Sequence, residues 1–223
     1  MISLIAAALS GAALTAAVYQ FLWKRRMREL VPPPPEYQVP TDLTDWDRLN
    51  MAYHEAGHAV CSHHLPEREP LLRITISPTD EAFGMIRTAP RPHHNETRVS
   101  FASTLAVMLA GRLAEELFLG GITTSCVHDL AAARQLAADM VLTFGMGSRS
   151  GLTLPPPEMN CGEALRGQCD ADIRELLAEA ERSARATLTA NAEEVKALAE
   201  LLLEKETLEQ PGIDVFFGTR KVS

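Results

Sequence analysis

The sequence contains no G-x-x-x-x-G-K-[ST] stretch. No phosphate-cradling loop is therefore visible, and ATP-driven work by this chain on its own is not expected. Cysteine is sparse: Cys61, Cys126, Cys161 and Cys169 are too few and too scattered for a disulfide scaffold. Positive charge is short as well. Lys and Arg number 21 against 29 Asp and Glu, a net charge of -8. Four of those basic residues, Lys24, Arg25, Arg26 and Arg28, crowd near the N-terminus, so the remainder is more acidic than the whole. An acidic body argues against nucleic acid as a partner, because phosphate contacts need clustered Lys and Arg. No internal repeat is visible. At 223 residues, 46% hydrophobic and 22% charged, the chain suits one globular domain with an appendage.

The appendage is legible. Residues 2–23 carry no charge, a run long enough for the about 20 apolar residues that cross a bilayer core. Tyr19 and Trp23 stand near its charged end, where amphipathic rings favour the headgroup layer. The basic cluster follows the apolar run rather than preceding it, the reverse of a cleaved signal peptide. A buried soluble helix is a weaker rival, because so long an uncharged run exceeds a typical core helix. The positive-inside bias puts the N-terminus outside and the body in the cytoplasm, with the lipid bilayer as a partner. Val31–Pro40 (VPPPPEYQVP) is a proline-rich spacer that cannot continue a helix. The expected organisation is a transmembrane helix and basic flank over 1–30, a linker over 31–43, a body over 44–210 and a C-terminal tail over 211–223.

Within the body, Thr44 with Asp47 marks a helix start, and Pro66 ends that helix after Leu65. Leu71–Ser77 and Phe83–Ala89 read as short strands around a polar turn. A long helix is expected from about Asn95 to Leu119, with Leu105, Met108, Leu109, Leu113 and Leu117 on one stripe and Gly120-Gly121 beyond its end. Another starts near His128 and stops before Gly145. Asp170–Thr189 and Asn191–Glu206 read as a helical hairpin. The fold class is therefore mainly α with a small sheet.

The first body helix contains His54-Glu55-Ala56-Gly57-His58. Residues i and i+4 project from one helix face, so two imidazoles at that spacing can share a zinc ion (Zn2+). Glu55, beside the first of them, can take a proton from a water polarised by the metal. The motif alone arises by accident in about one chain of this size in a hundred. Gly57 weakens the accidental reading. Mid-helix glycine costs about 1 kcal/mol relative to alanine, and it would let a second backbone approach the metal helix. A third ligand is needed; Asp129, Glu115, Glu116, His93, His94 and His128 are candidates that spacing does not separate. His63 and His64 project elsewhere and read as solvated surface.

Several segments in order resemble the peptidase domain of the FtsH family, the membrane-bound, ATP-dependent zinc metalloproteases. They are Ala52–Val60 (AYHEAGHAV), Ile74–Ile86 (ITISPTDEAFGMI), Leu109–Gly120 (LAGRLAEELFLG), Thr123–Ala133 (TTSCVHDLAAA), Met140–Leu152 and Ala197–Leu208. The resemblance covers roughly residues 44–208. It implies a helical, zincin-like peptidase domain with a small β-hairpin or sheet. It also implies His54, His58 and Asp129 as zinc ligands and Glu55 as general base. Glu115 is placed to orient a metal-bound histidine, its alternative being a surface salt bridge. Phe83, Gly84 and Met85 would lie where an extended substrate adds as a strand. His128 departs from the family, which usually has Asn or another small polar residue there; it is an extra ligand, a substitute for Asp129 or a polar neighbour of the site.

The family places an ATPase module between span and peptidase, and none is visible here. The expected function is a membrane-anchored zinc metalloendopeptidase that cleaves unfolded or membrane-associated proteins without an ATPase in cis. A homo-oligomeric ring or a partner ATPase is implied only by the resemblance. The alternative is a non-catalytic adaptor or decoy that co-assembles with full-length membrane proteases. An intramembrane protease is excluded, because the metal helix begins with Asp45, Asp47 and Arg48.

Overall fold

The computed structural model describes residues 43–78, 84–91, 95–152 and 162–219. The expected membrane span and its basic flank, the linker up to residue 42, Phe83, His93, His94 and Cys161 lie outside the described residues. Among the described residues, no helix is long and apolar enough to cross a membrane.

Helix α1 (Asp45–His64) starts where the sequence places it. Thr44 accepts from the Asp47 backbone N–H and Asp47 reaches back to the Thr44 N–H. This reciprocal cap satisfies two of the end's orphan donors. Strands β1 (Leu71–Thr75) and β2 (Met85–Thr88) follow. Helix α2 (Arg98–Ala114) begins at its Thr97 cap and passes into a π-helical turn, Glu115–Leu119. Gly120 closes that turn at φ 75, the left-handed conformation that glycine adopts without steric penalty. A 3-10 turn (Thr124–Cys126) leads into α3 (Val127–Leu142). Helices α4 (Glu163–Ala190) and α5 (Ala192–Lys205) form the hairpin, α4 starting earlier than the sequence indicated.

Two elements were not foreseen. β3 (Thr207–Glu209) joins the sheet, and α6 (Gln210–Phe217) forms where a tail was expected. Eight residues give too short a periodic pattern to stand out as a helix. Phe217 stacks on His63 with centroids 4.4 Å apart, and His64 pairs with Glu194 at 2.5 Å. His63 is half-buried against Phe217, whereas His64 is exposed as expected and pairs with Glu194 at the surface.

The sheet order is β2-β1-β3, antiparallel throughout. Ile74, wholly buried at its centre, faces Ile86 on one side and Leu208 on the other. The core lies between α1, α2, α4 and α5. Leu105, Leu113, Leu188, Leu198 and Leu202 are wholly buried, each contributing about 1.5–3 kcal/mol of apolar burial. Ala110 and Ala114 of α2 pack against α1 at Gly57, and Ala52, Ala56, Ala59 and Ala106 are likewise wholly buried.

At Gly57 the two helices approach closely. A Cβ there would fall 2.6 Å from Ala114 Cβ and 2.7 Å from the Ala110 carbonyl oxygen. The expected close backbone approach is present, and it comes from α2. Leu117 leaves the predicted stripe and is 37% exposed. The extra residue per turn in the π segment rotates it off the face set by Leu105, Leu109 and Leu113.

Candidate metal centre

His54, Glu55 and His58 lie on the buried face of α1, at 6%, 6% and 7% exposure. Each imidazole is fixed through its Nδ1. His54 Nδ1 is 2.7 Å from Glu115 Oε1, and His58 Nδ1 is 2.7 Å from the Val107 carbonyl oxygen. Both acceptors come from α2 and its π turn. With the Nδ1 hydrogens so engaged, Nε2 is the atom through which each neutral imidazole would offer a lone pair to a metal.

Those Nε2 atoms converge, 3.0 Å apart, on Asp129 of the first turn of α3. Asp129 Oδ2 is 3.1 Å from His54 Nε2 and 3.4 Å from His58 Nε2. The three atoms form a group that can hold a metal ion. Tetrahedral ligands at about 2.0–2.1 Å from zinc stand about 3.3 Å from one another, so the observed triangle suits that ion.

The floor of the site is the α2 backbone. A Cβ at Gly111 would fall 2.5 Å from His54 Nε2 and 2.6 Å from His58 Nε2. On the other side, a Cβ at Gly84 would meet Glu55 Oε1 at 2.7 Å. Both glycines leave room for functional side chains where any larger residue would fill it.

Three acceptors turned toward one point demand positive charge. Burial opposes protonation of His54, but Asp129 and Glu115 outweigh it and raise its pKa to about 10. His58 is also raised, by Asp129 against its burial. The Asp129 carboxyl, although buried, is held far below the usual range by His58 and His54. Glu115 is likewise lowered against its burial, by hydrogen bonds from His54, Ser125 and the Thr123 backbone. In Glu55 burial dominates and moves the pKa up. Glu55 Oε2 is buried and has no hydrogen-bond partner among the described residues. Such an orphan is costly unless a water, metal or substrate completes it.

Glu115 also ties together the two elements that carry His54 and Asp129. Its Oε2 accepts the Thr123 backbone N–H at 2.7 Å, and its Oε1 accepts the Ser125 hydroxyl at 2.7 Å. The turn that launches Asp129 is thus clamped to the residue that orients His54. Thr123, Ser125, the Val107 carbonyl and Gly111 were not singled out from sequence. Gly111 carried a usable signal, the same mid-helix glycine that drew attention to Gly57. The Val107 carbonyl carried none, because every residue has one.

Among the described residues, the other candidates lie outside that triangle of atoms. Glu116 pairs with Arg185 at 2.9 Å. His128 is exposed and lines the cleft beside Asp129. Met85 lines the same cleft from β2, whose outer edge is unpaired among the described residues. The cleft holds about 370 Å³, within the range of small-molecule and peptide sites.

A mainly helical domain with two histidines one turn apart, an adjacent glutamate and a carboxylate from another helix within reach of both imidazoles defines a metallopeptidase of the H-E-x-x-H class. Residues 42–215 match the sequence profile of peptidase family M41, and the chain belongs to that family. It is 32% identical over 191 residues to an ATP-dependent zinc metalloprotease FtsH of Ralstonia pickettii, covering 78% of this chain and 27% of that protein. It is 38% identical over 170 residues to an FtsH 1 of Symbiobacterium thermophilum, covering 75% and 28%. It is also 33% identical over 182 residues to the mouse mitochondrial inner membrane m-AAA protease component AFG3L2, covering 78% and 23%. The chain therefore spans about a quarter of the length of these relatives.

Proposed function

We propose that this chain is a zinc metalloendopeptidase of unfolded or membrane-associated proteins, held at the cytoplasmic face of a membrane by residues 1–30. The observation that supports it best is the convergence of His54 Nε2, His58 Nε2 and Asp129 Oδ2 beside an unpartnered Glu55 oxygen. These three residues would hold the zinc. Zinc supplies Lewis acidity, bringing a water's pKa toward about 7 and polarising a carbonyl.

Glu55 takes the proton of the attacking water and passes it to the leaving amine. Its raised pKa suits that shuttle, because burial makes the carboxylate a stronger base than an exposed one. The free edge of β2, with Gly84 over Glu55 and Met85 on the cleft, offers backbone groups to an extended substrate. An extended chain is required, so folded substrates need unfolding first. A partner ATPase would supply it, in line with the ATP-dependent proteases among the relatives.

The test is zinc content and cleavage of an unfolded protein by the wild type and Glu55→Gln. The expected result is zinc in both and cleavage lost by about 10²–10⁴-fold in the variant, the range for a general base. Zinc in both with cleavage by neither would overturn the enzyme reading in favour of an adaptor. Equal cleavage by both would remove Glu55 from the mechanism.

A further inference from the structure

Three histidines line the catalytic cleft among the described residues: His54, His58 and His128. The first two are fixed through Nδ1 and face the metal position. His128 is exposed and has no hydrogen bond, ion pair or ring contact among the described residues. We propose that His128 is a further catalytic residue, whose imidazole donates a hydrogen bond to the scissile carbonyl oxygen as negative charge develops there. This role rests on the peptidase reading above and adds to it the group that meets the developing charge.

The helix start places the ring. His128 immediately precedes Asp129 in the first turn of α3. Their Cα atoms are about 3.8 Å apart, and neighbouring helical residues point about 100° apart because 3.6 of them complete a turn. The Asp129 carboxylate is held at the two Nε2 atoms. The His128 ring therefore stands beside the metal position and not on it, in keeping with a metal-capable group that includes Asp129 and leaves out His128. The preceding turn is pinned. The Thr123 N–H and the Ser125 hydroxyl donate to Glu115, and Cys126 Sγ donates to the Thr123 carbonyl at 3.3 Å. A side chain launched from so fixed a backbone is aimed repeatably.

The cleft walls have separate origins. β2 packs on β1 and α1 and brings Gly84 against Glu55. The 3-10 turn and α3 pack on α2 and carry Asp129 and His128. A substrate added to the free edge of β2 thus meets Glu55 from one wall and His128 from the other. Addition of water to a carbonyl needs two different groups, because the oxygen that loses a proton and the oxygen that gains charge are different atoms. Glu55 is the acceptor for the first, and an N–H donor suits the second.

Other donors around the cleft are engaged. The imidazoles of His54 and His58 are tied to Glu115 and the Val107 carbonyl, and the hydroxyls of Ser125 and Thr104 donate to Glu115 and the Ser100 carbonyl. A neutral imidazole carries one N–H in either tautomer, so His128 can donate without gaining a proton, and the proton stays on the ring. Met85, Ile86, Val107 and Met108 make the surrounding wall apolar, which strengthens such a bond by excluding water.

The experiment uses the full chain with His128→Phe, which keeps a flat ring without a donor, and His128→Gln, which keeps an N–H. Cleavage of one unfolded peptide gives kcat and KM. A phosphinic peptide of the same sequence, a tetrahedral mimic of the charged oxygen, gives an inhibition constant or, by calorimetry, a Kd. Binding of the uncleaved peptide to Glu55→Gln and Glu55→Gln/His128→Phe is followed by fluorescence anisotropy. His128→Phe should lower kcat by about 10–100-fold, less than the about 10²–10³ of an enclosed oxyanion donor because His128 is exposed. KM and binding of the uncleaved peptide should stay within about twofold, since the bond is made only in the transition state. The phosphinic peptide should lose affinity by about the factor that kcat/KM loses, and His128→Gln should recover part of both.

Wild-type kcat and wild-type phosphinic affinity in His128→Phe would overturn the proposal and leave the peptidase reading standing. A raised KM with unchanged kcat would also overturn it, making His128 an ordinary substrate contact. Lost zinc content would do the same, making His128 part of the metal site. Binding of the phosphinic peptide that depends on His128, with no cleavage by the wild type, would sink the peptidase reading and leave the donor assignment standing. Circular dichroism identifies folded variants, and His128→Ala gives the same readings if His128→Phe does not fold.

Discussion

Glu115 Oε1 lies 2.7 Å from His54 Nδ1, at the point where α2 passes into its π turn. Glu115 is wholly buried and accepts three donors: His54, Ser125 and the Thr123 N–H. A side-chain amide cannot accept all three, because one of its ends is itself a donor. Glu115→Gln should therefore weaken zinc binding by about 10–100-fold, the usual effect of losing a ligand's supporting partner. Competition with a chromophoric chelator measures this; unchanged affinity would return Glu115 to a purely packing role.

Gly111→Ala should remove metal binding with little loss of helix. Its Cβ would stand 2.5 Å from His54 Nε2, while alanine favours helix over glycine by about 1 kcal/mol. Zinc analysis alongside circular dichroism separates the two effects. A variant that binds zinc normally would show that α2 is not the floor of the site.

Gly57→Ala should do the opposite, because its Cβ meets the backbone of α2 rather than an imidazole. Overpacking of this kind costs about 1–3 kcal/mol. Urea unfolding should show that loss, and a variant as stable as the wild type would mean that the α1–α2 seam can open.

Removing zinc should lower thermal stability. A ligand present at about 100 times its Kd stabilises by about 2.7 kcal/mol, and each kcal/mol moves Tm by about 2–4 °C in a chain of this size. Chelation should thus lower Tm by about 5–10 °C, and added zinc should restore it. No shift would argue against a metal linking α1 to α3.

Asp172 predicts a pH dependence away from the metal. Its buried carboxylate accepts from Ser148 Oγ, the backbone N–H groups of Arg149 and Ser150, Ser150 Oγ and the Arg149 guanidinium. Burial alone would raise its pKa, but those donors hold it well below the ordinary 3.8. A depressed folded pKa adds stability that is present above the unfolded value and lost as pH falls toward the folded one. Asp172→Asn should cost about 3 kcal/mol at pH 7, and the gap from wild type should narrow below about pH 4. Urea melts at pH 7 and pH 3 test this; a constant gap would mean that the charge of Asp172 contributes nothing.

Much of the site was readable because it is local. His54, Glu55 and His58 share one helix, and a 3.6-residue period places both imidazoles on one face whatever surrounds them. Thr44 and Asp47 announced the start of that helix through the same short-range chemistry. Gly57 signalled that something packs closely, without saying what. The short helix Gln210–Phe217 and its contact with His63 were hidden, because eight residues carry little periodicity and the stacking partner is remote in sequence.

The sequence by itself determined the two histidines, the glutamate between them, the apolar stripes that build the helices and the family that the chain belongs to. It could not choose a third ligand from spacing alone, since Asp129, Glu115 and Glu116 are all acids in helical segments. Tertiary structure separates these acids by position. The first turn of α3 brings Asp129 to the two Nε2 atoms, while the π turn buries Glu115 behind His54 and leaves Glu116 facing Arg185. It also put Arg68 on Thr104 across the cleft, because only packed helices bring residues far apart in the chain within the 3 Å at which hydrogen bonds and metal ligands act.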